Sequence, residues 1–246
     1  MTVYTADNPK RSWYGEAIGI LILDATYPCI PGNVGNATTF DFPVRYKVVK
    51  DASIERLLTQ RDPSLLAPFL TAAQELEDEG VRAITGACGF MALFQPQIQK
   101  GVDIPVFMSS LLQIPFIHQI LPPGKKIGVI TANASVLSPE HFNNVGVSEK
   151  IPLVVRGMEQ QTEFCESVLE EKGTLDSEKV EKEVVGVAND MIREHPDIDA
   201  ILLECSDLPP YAAAVFKATG RPVFDFITMI RYVHNALTPR PYDGFM

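Results

Sequence analysis

The sequence carries one course of residues twice, and this repetition restricts its fold more than any other feature. Val81-Arg82-Ala83-Ile84 leads to Cys88 and then to Pro105-Val106-Phe107. At a distance of 117 positions, Ile198-Asp199-Ala200-Ile201 leads to Cys205 and then to Pro222-Val223-Phe224, with no gap. Apolar strands recur in any α/β protein, so they alone decide little. Two Pro-Val-Phe triplets, each beginning 17 residues after a cysteine, are far more specific. They predict a duplicated strand–thiol–helix–strand unit that presents two thiols to one site from opposite sides. Proton transfer at a carbon atom is a chemistry that needs such a pair.

Short β-rich runs alternate with longer helical patterns, the mark of an α/β fold with mostly parallel sheets. Ile18 to Leu23 reads as a buried first strand and Val44 to Val49 as a second. Asp62-Pro63 supplies an N-cap and a first-turn proline, after which Leu65, Leu66, Phe69, Leu70, Ala73 and Leu76 share a helical face that ends at Gly80. Strands follow at Val81 to Ala87 and Ile104 to Phe107. In the second half, Lys126 to Thr131 echoes Ala17 to Ile22 at an offset of 109. Asp176-Ser177 then opens a helix bearing Val180, Val184, Val187, Ala188, Met191 and Ile192, and Ile198 to Glu204 runs to Cys205. Leu121-Pro122-Pro123-Gly124 punctuates the chain between the halves.

Composition narrows the function. A net charge of −10 and a pI near 4.9 argue against nucleic acid or an anionic membrane as partner. They leave room for a small anion held by backbone N–H groups. The first residues lack the basic region and apolar run of a signal peptide, and no apolar stretch is long enough to span a bilayer. Four cysteines in 246 residues are too few for a disulfide scaffold. The expectation is a cytoplasmic protein with reduced thiols.

Open α/β sheets bind ligands beyond the carboxyl ends of their strands, which is where Cys88 and Cys205 fall. Each precedes a helix: Gly89-Phe90 leads into one that stops near Gly101, and Ser206-Asp207-Leu208-Pro209-Pro210 opens one that stops at Gly220. A thiol at a helix N-terminus gains thiolate character, so depressed thiol pKa values are expected, and the free N–H groups suit a substrate carboxylate. Cys165 reads as structural, and Cys29 as a turn residue between Pro28 and Pro31. Pro31 to Asn36 is either an anion-binding nest or a plain surface turn, and matches neither a dinucleotide fingerprint nor a P-loop. There is no Gly-x-Ser-x-Gly elbow. His118, His141, His195 and His234 lack metal-ligand spacing, so no metal is expected.

With these motifs in place, the chain resembles the aspartate/glutamate racemase superfamily of cofactor-independent, two-cysteine enzymes. The segments that carry the resemblance are Ile84-Thr85-Gly86-Ala87-Cys88-Gly89-Phe90, Pro105 to Ser110, Thr131-Ala132-Asn133, Glu204 to Tyr211 and Pro222 to Asp225. The branch that shares them includes bacterial racemases and the algal dimethylsulfoniopropionate lyases of the Alma type. The resemblance implies two pseudo-symmetric Rossmann-like α/β domains with the site in the cleft between them. The first would comprise residues 1–107 plus 225–246, because the final helix returns to it, and the second residues 108–224. It implies no cofactor, a small carboxylate substrate, and Cys88 and Cys205 as acid and base on opposite faces of the reacting carbon. Self-association into a homo-oligomer stays open.

Asp24, Thr131 and Asn133 at strand ends would orient the substrate, and backbone amides around Gly89 and Ser206 would stabilise enolate-like charge. Many family racemases carry Asn-Thr after the first cysteine and Thr-His after the second, where this chain has Gly89-Phe90 and Ser206-Asp207. The substrate is therefore not carried over from glutamate racemases. The first expectation is a racemase or epimerase that removes the proton next to a carboxylate. The alternative is a lyase for a sulfonium substrate, with Tyr27, Phe90, Phe94 and Tyr211 as candidate aromatic faces for the cation.

Overall fold

Ile18–Leu23 (β1) is apolar throughout and buried on both faces, as a strand inside a parallel sheet must be. The computed structural model describes residues 3–6 and 11–246. It places β1 between Val44–Val49 (β2) and Ala83–Gly86 (β3), with Val106–Phe107 (β4) beyond β3. The second sheet has Lys126–Thr131 (β5) between Leu153–Gly157 (β6) and Ile198–Leu203 (β7), with Val223–Phe224 (β8) beyond β7. All pairings are parallel, so the protein is an α/β protein with two four-stranded parallel sheets of matching order. β4 and β8 have two residues each, because Pro105 and Pro222 have no N–H for the ladder. Their carbonyls still accept from Ile84 and Ile201.

The helices, in order, are Leu66–Asp78 (α1), Gln95–Gly101 (α2), Ile114–Ile120 (α3), Pro139–Asn144 (α4), Thr162–Phe164 (α5), Ser177–Glu194 (α6), Ala212–Thr219 (α7) and Phe226–Leu237 (α8). The expected caps are in place: Asp62 accepts from Ser64 N ahead of α1, Asp176 from Lys179 N at α6, and Gly220 takes a left-handed φ of 66° after α7. Helix α1 buries Phe69, Ala73 and Leu76 against the Leu21 and Ile84 face of the first sheet, and α6 does the same with Val184, Ala188 and Met191 over Ile201 and Leu203. Glycine in each central strand permits the close approach. A Cβ on Gly19 would stand 3.0 Å from Leu76 Cδ1, and one on Gly128 2.4 Å from Met191 Cε.

The opposite faces are covered by exchange. Helix α3 follows β4 of the first sheet, yet Ile114 and Ile117 pack on Ile127, Val129, Ala200 and Leu202 of the second. Helix α8 follows β8 of the second sheet, yet Phe226, Met229 and Ile230 pack on Ile18, Ile20, Ala83 and Phe107 of the first. Asp225 starts α8 with a capping box shared with Thr228. Pulling the halves apart would therefore strip apolar cover from both sheets. Phe226 is fully buried at this junction. Phe226→Ala is expected to cost about 3–5 kcal/mol, read as a lower urea midpoint at unchanged slope; a loss below about 1 kcal/mol would mean that α8 is not an anchor.

Candidate active site

In both sheets the chain leaves the first central strand for one edge and returns on its other side. This opens a crevice beyond the carboxyl ends of β1 and β3, and another beyond β5 and β7. Cys88 and Cys205 each lie two residues past the strand that borders the crevice. The two crevices meet: Cys88, Cys205, Tyr27, Ser206 and Asp207 line one cavity, which Leu23, Ile54, Leu58, Ala132, Val168 and Leu169 close with aliphatic surface. Hydrogen bonds seal the seam between halves. Ser206 Oγ donates to the Ala87 carbonyl at 2.8 Å, and Val34 N donates to the Ser206 carbonyl at 3.3 Å.

The cavity measures about 20 Å³, room for about one water. Its covers are two π-helical turns, Glu55–Thr59 and Cys165–Leu169, which begin 110 positions apart. Leu58 belongs to the first turn, with Ile54 as its N-cap, and Val168 and Leu169 to the second. Each turn is followed by a non-glycine residue at positive φ, Arg61 at 48° and Glu171 at 53°. Glu171 Oε1 also accepts from Thr26 N across the seam. A substrate larger than water needs more room than this cavity gives. Such turns concentrate at functional sites.

Charge in the cavity is one-sided. The Cys205 thiol donates to Asp207 Oδ2 at 3.2 Å, and Asn33 Nδ2 donates to Asp207 Oδ1. Burial pushes the Asp207 carboxyl up; the bonds from Cys205, Asn33 and Tyr27 only partly oppose it. Burial also pushes both thiols up, Cys88 further by the Glu204 charge and Cys205 further by Asp207. The Phe90 and Met91 N–H groups pull Cys88 back part of the way, as the Asp207 N–H does for Cys205. The expected depression of the thiols is thus corrected. The N-terminal amides act as foreseen, but desolvation and two carboxyls outweigh them, and among the described residues no cationic side chain lines the cavity.

Glu204 was not among the expected site residues. It is fully buried at the end of β7, and its Oε2 accepts from Thr131 Oγ1 at 2.8 Å. Among the described residues its Oε1 has no hydrogen-bond partner, and it faces Gly89, where a Cβ would stand 1.7 Å away. Burial raises its pKa to about 7. The signal lay in the sequence: a carboxyl directly after the apolar run Ala200 to Leu203 ends up where the strand enters the core.

The sequence pattern of the family described as Asp/Glu/Hydantoin racemase matches residues 51–230. The chain belongs to that family. Among curated relatives, a dimethylsulfoniopropionate lyase of Durusdinium sp. clade D is 35% identical over 93% of this chain and 77% of its own length. Dimethylsulfoniopropionate lyase 3 of Emiliania huxleyi is 32% identical over 97% of this chain, which spans only 62% of that protein. Solved structures share the fold at low identity. The glutamate racemase of Bacillus anthracis has a TM-score of 0.57 at 15% identity, covering 90% of this chain and 82% of its own. The Picrophilus torridus aspartate racemase has 0.59 at 17%, covering 93% and 96%, and unliganded arylmalonate decarboxylase 0.59 at 13%, covering 93% and 94%.

In this member of the racemase family the expected site residues divide. Cys88, Cys205, Tyr27, Ser206 and Asp207 come together at the cavity. Gly89 lies behind Cys88, against Glu204. Thr131 is buried and committed to Glu204. Phe90 points away from the cavity, fully buried and edge-on to His141 at 5.0 Å. Phe94 packs on Phe69, and Tyr211 is buried near Ser177. Asn133 forms a local turn, accepting from Ser135 N and Oγ, and Asp24 is exposed and accepts from Asp51 N; neither lines the cavity.

The Pro31–Asn36 loop is no free anion nest. Gly32 lies against Pro210, where a Cβ would stand 2.8 Å from Pro210 Cα, and the loop delivers Asn33, 3% exposed, to Asp207. Burial lifts Cys29 to about 11, and it does not line the cavity. Among the described residues no cluster of histidine, cysteine or carboxyl groups could hold a metal, and no helix is long and apolar enough to cross a membrane.

Glu204 predicts a pH dependence. Its folded pKa of about 7 exceeds the ordinary 4.5, so the folded state keeps a proton that the unfolded chain releases. Its contribution is full below pH 4.5 and is lost as pH rises through 7, about 3 kcal/mol in all. Glu204→Gln should remove this loss, so that its melting temperature gains on the parent from acid to mildly alkaline pH. Parallel melting curves would show that Glu204 does not hold that proton.

Proposed function

We propose that the chain is a cofactor-independent lyase that removes the proton next to a carboxylate and expels a neutral sulfide from the β-carbon, as with dimethylsulfoniopropionate. One observation carries this reading: the two thiols are unequal, because only Cys205 donates to a carboxylate, Asp207. Elimination needs one strong base, whereas inversion needs two matched groups. Transfer of the Cys205 proton to Asp207 gives a thiolate, and this takes the α-proton. The C–H electron pair becomes the Cα=Cβ bond, and the Cβ–S bond breaks with its electrons on sulfur. The products are acrylate and dimethyl sulfide, and the abstracted proton stays on Cys205. Cys88, kept neutral, offers its S–H to the charge that develops.

The walls suit the substrate. The one negative charge shared by Asp207 and Cys205 offsets a sulfonium, the Tyr27 ring attracts it by roughly 0.5–2 kcal/mol, and the aliphatic covers match its methyl groups. The identity with dimethylsulfoniopropionate lyases over nearly the whole chain supports the same reading. A racemase is the second reading, favoured by the presence of both thiols, one from each half, in one cavity.

Proton NMR in heavy water separates the two. With dimethylsulfoniopropionate, acrylate and dimethyl sulfide should appear; with a panel of amino acids and hydantoins, the α-proton should persist. Exchange of an α-proton with loss of chirality, and no acrylate, would overturn the lyase. Cys205→Ala should lower kcat by about 10²–10⁴-fold and Asp207→Asn by about 10²-fold, whereas Cys88→Ala keeps a measurable rate. Equal, complete loss in both cysteine variants would favour the two-base racemase.

A further inference from the structure

Glu204 is the one buried ionisable side chain at the site that the elimination leaves without a task. It is bonded through the chain to Cys205, and its carboxyl presses on the residue that follows Cys88. The space it fills exists only because residue 89 is glycine. A Cβ there would meet Glu204 Oε1 at 1.7 Å, Cδ at 2.2 Å and the carbonyl oxygen at 2.7 Å. Ser110 Oγ donates to the same carbonyl at 3.1 Å, and Thr131 Oγ1 holds Oε2, which leaves the buried Oε1 without a partner among the described residues. A core that only needed filling would take an apolar side chain here, since a buried carboxyl with one free oxygen costs stability.

We propose that Glu204 is a positioning residue that makes the two thiols unequal, keeping the proton on Cys88 while Asp207 draws the proton from Cys205. The inference deepens the lyase reading and rests on it only in treating both thiols as working groups. The groups that face Cys88 are Glu204, Asp207, Tyr27 and Cys205, with the Phe90 and Met91 amides opposing them. None is cationic, so each ionisation among them hinders the next. Glu204 stands first among the charges acting on Cys88, whereas Asp207 stands first for Cys205. Once Glu204 ionises, near neutral pH, its charge opposes ionisation of Cys88 ahead of any other charge there, and ionisation of Cys205 only after that of Asp207.

The test is alkylation of the folded protein with iodoacetamide from about pH 6 to about pH 10, each cysteine followed by peptide mass spectrometry. Cys88 is half-buried and Cys205 buried, so the informative quantity is the ratio of Cys88 to Cys205 rates in each variant relative to the parent. Glu204→Gln should raise that ratio by about tenfold near pH 8. An unchanged ratio in Glu204→Gln, or an equal rise at both thiols, would overturn the proposal. If Glu204→Gln fails to fold, Thr131→Val replaces it. Loss of the hydroxyl raises the Glu204 pKa, so the ratio should rise in the same direction by a smaller factor, and an unchanged ratio there overturns the proposal as well. A shifted ratio in a protein that turns over none of the NMR substrates would sink the lyase reading and leave Glu204 its role.

Discussion

Two thiols and two carboxyls are held together with little access to water, among the described residues no cationic side chain lines their cavity, and the rest of the structure answers to that constraint. Each group is desolvated, and each negative charge raises the cost of the next. The low-energy state of such a cluster keeps both thiols protonated. The closed site therefore holds thiols rather than thiolates, and the Asp207 carboxylate next to Cys205 marks where a proton can leave first. A substrate that brings its own positive charge relieves the repulsion, which links the chemistry of the cavity to the substrate class proposed for it.

The duplicated fold supplies the rigidity that this cluster requires. Each sheet ends in a crevice at its switch point, and the exchange of α3 and α8 keeps the two crevices face to face. Close packing at Gly19 and Gly128 fixes the helices that back the central strands. The covers are built differently. Two π-helical turns with left-handed residues behind them are local departures from regular structure, set where the backbone must be able to move.

Most of the fold was legible because strands, caps and turn residues are local. Asp62, Asp176 and Gly220 announce helix ends through chemistry within a few positions, and Val44 to Val49 and Lys126 to Thr131 match the structure residue for residue. The site was legible in part. Cys88 and Cys205 stood out through the repeat, but Asn33 reaches Asp207 over 174 positions and carries no local mark of doing so. The covers repeat at an offset of 110 with dissimilar side chains, so the alignment that found the thiols passes over them. Phe90 follows the cysteine and reads from sequence as a candidate aromatic face for the substrate, yet the 3-10 turn of Gly89–Phe94 rotates it into the core against His141. Asp24 and Asn133 sit at strand ends as foreseen, and each spends its side chain on a neighbouring turn.

The sequence by itself determined the duplicated α/β architecture, the place of both thiols at strand ends and the family to which they belong, because each of these is encoded in short-range pattern and spacing. Only the tertiary structure decided the electrostatic surroundings of those thiols. Helix N-termini, which sequence reveals, favour thiolate; desolvation and the convergence of Asp207 and Glu204 from one strand end, which sequence does not reveal, oppose it more strongly. Electrostatic energy depends on distances in space and on exclusion of water, and neither is a property of neighbours along the chain.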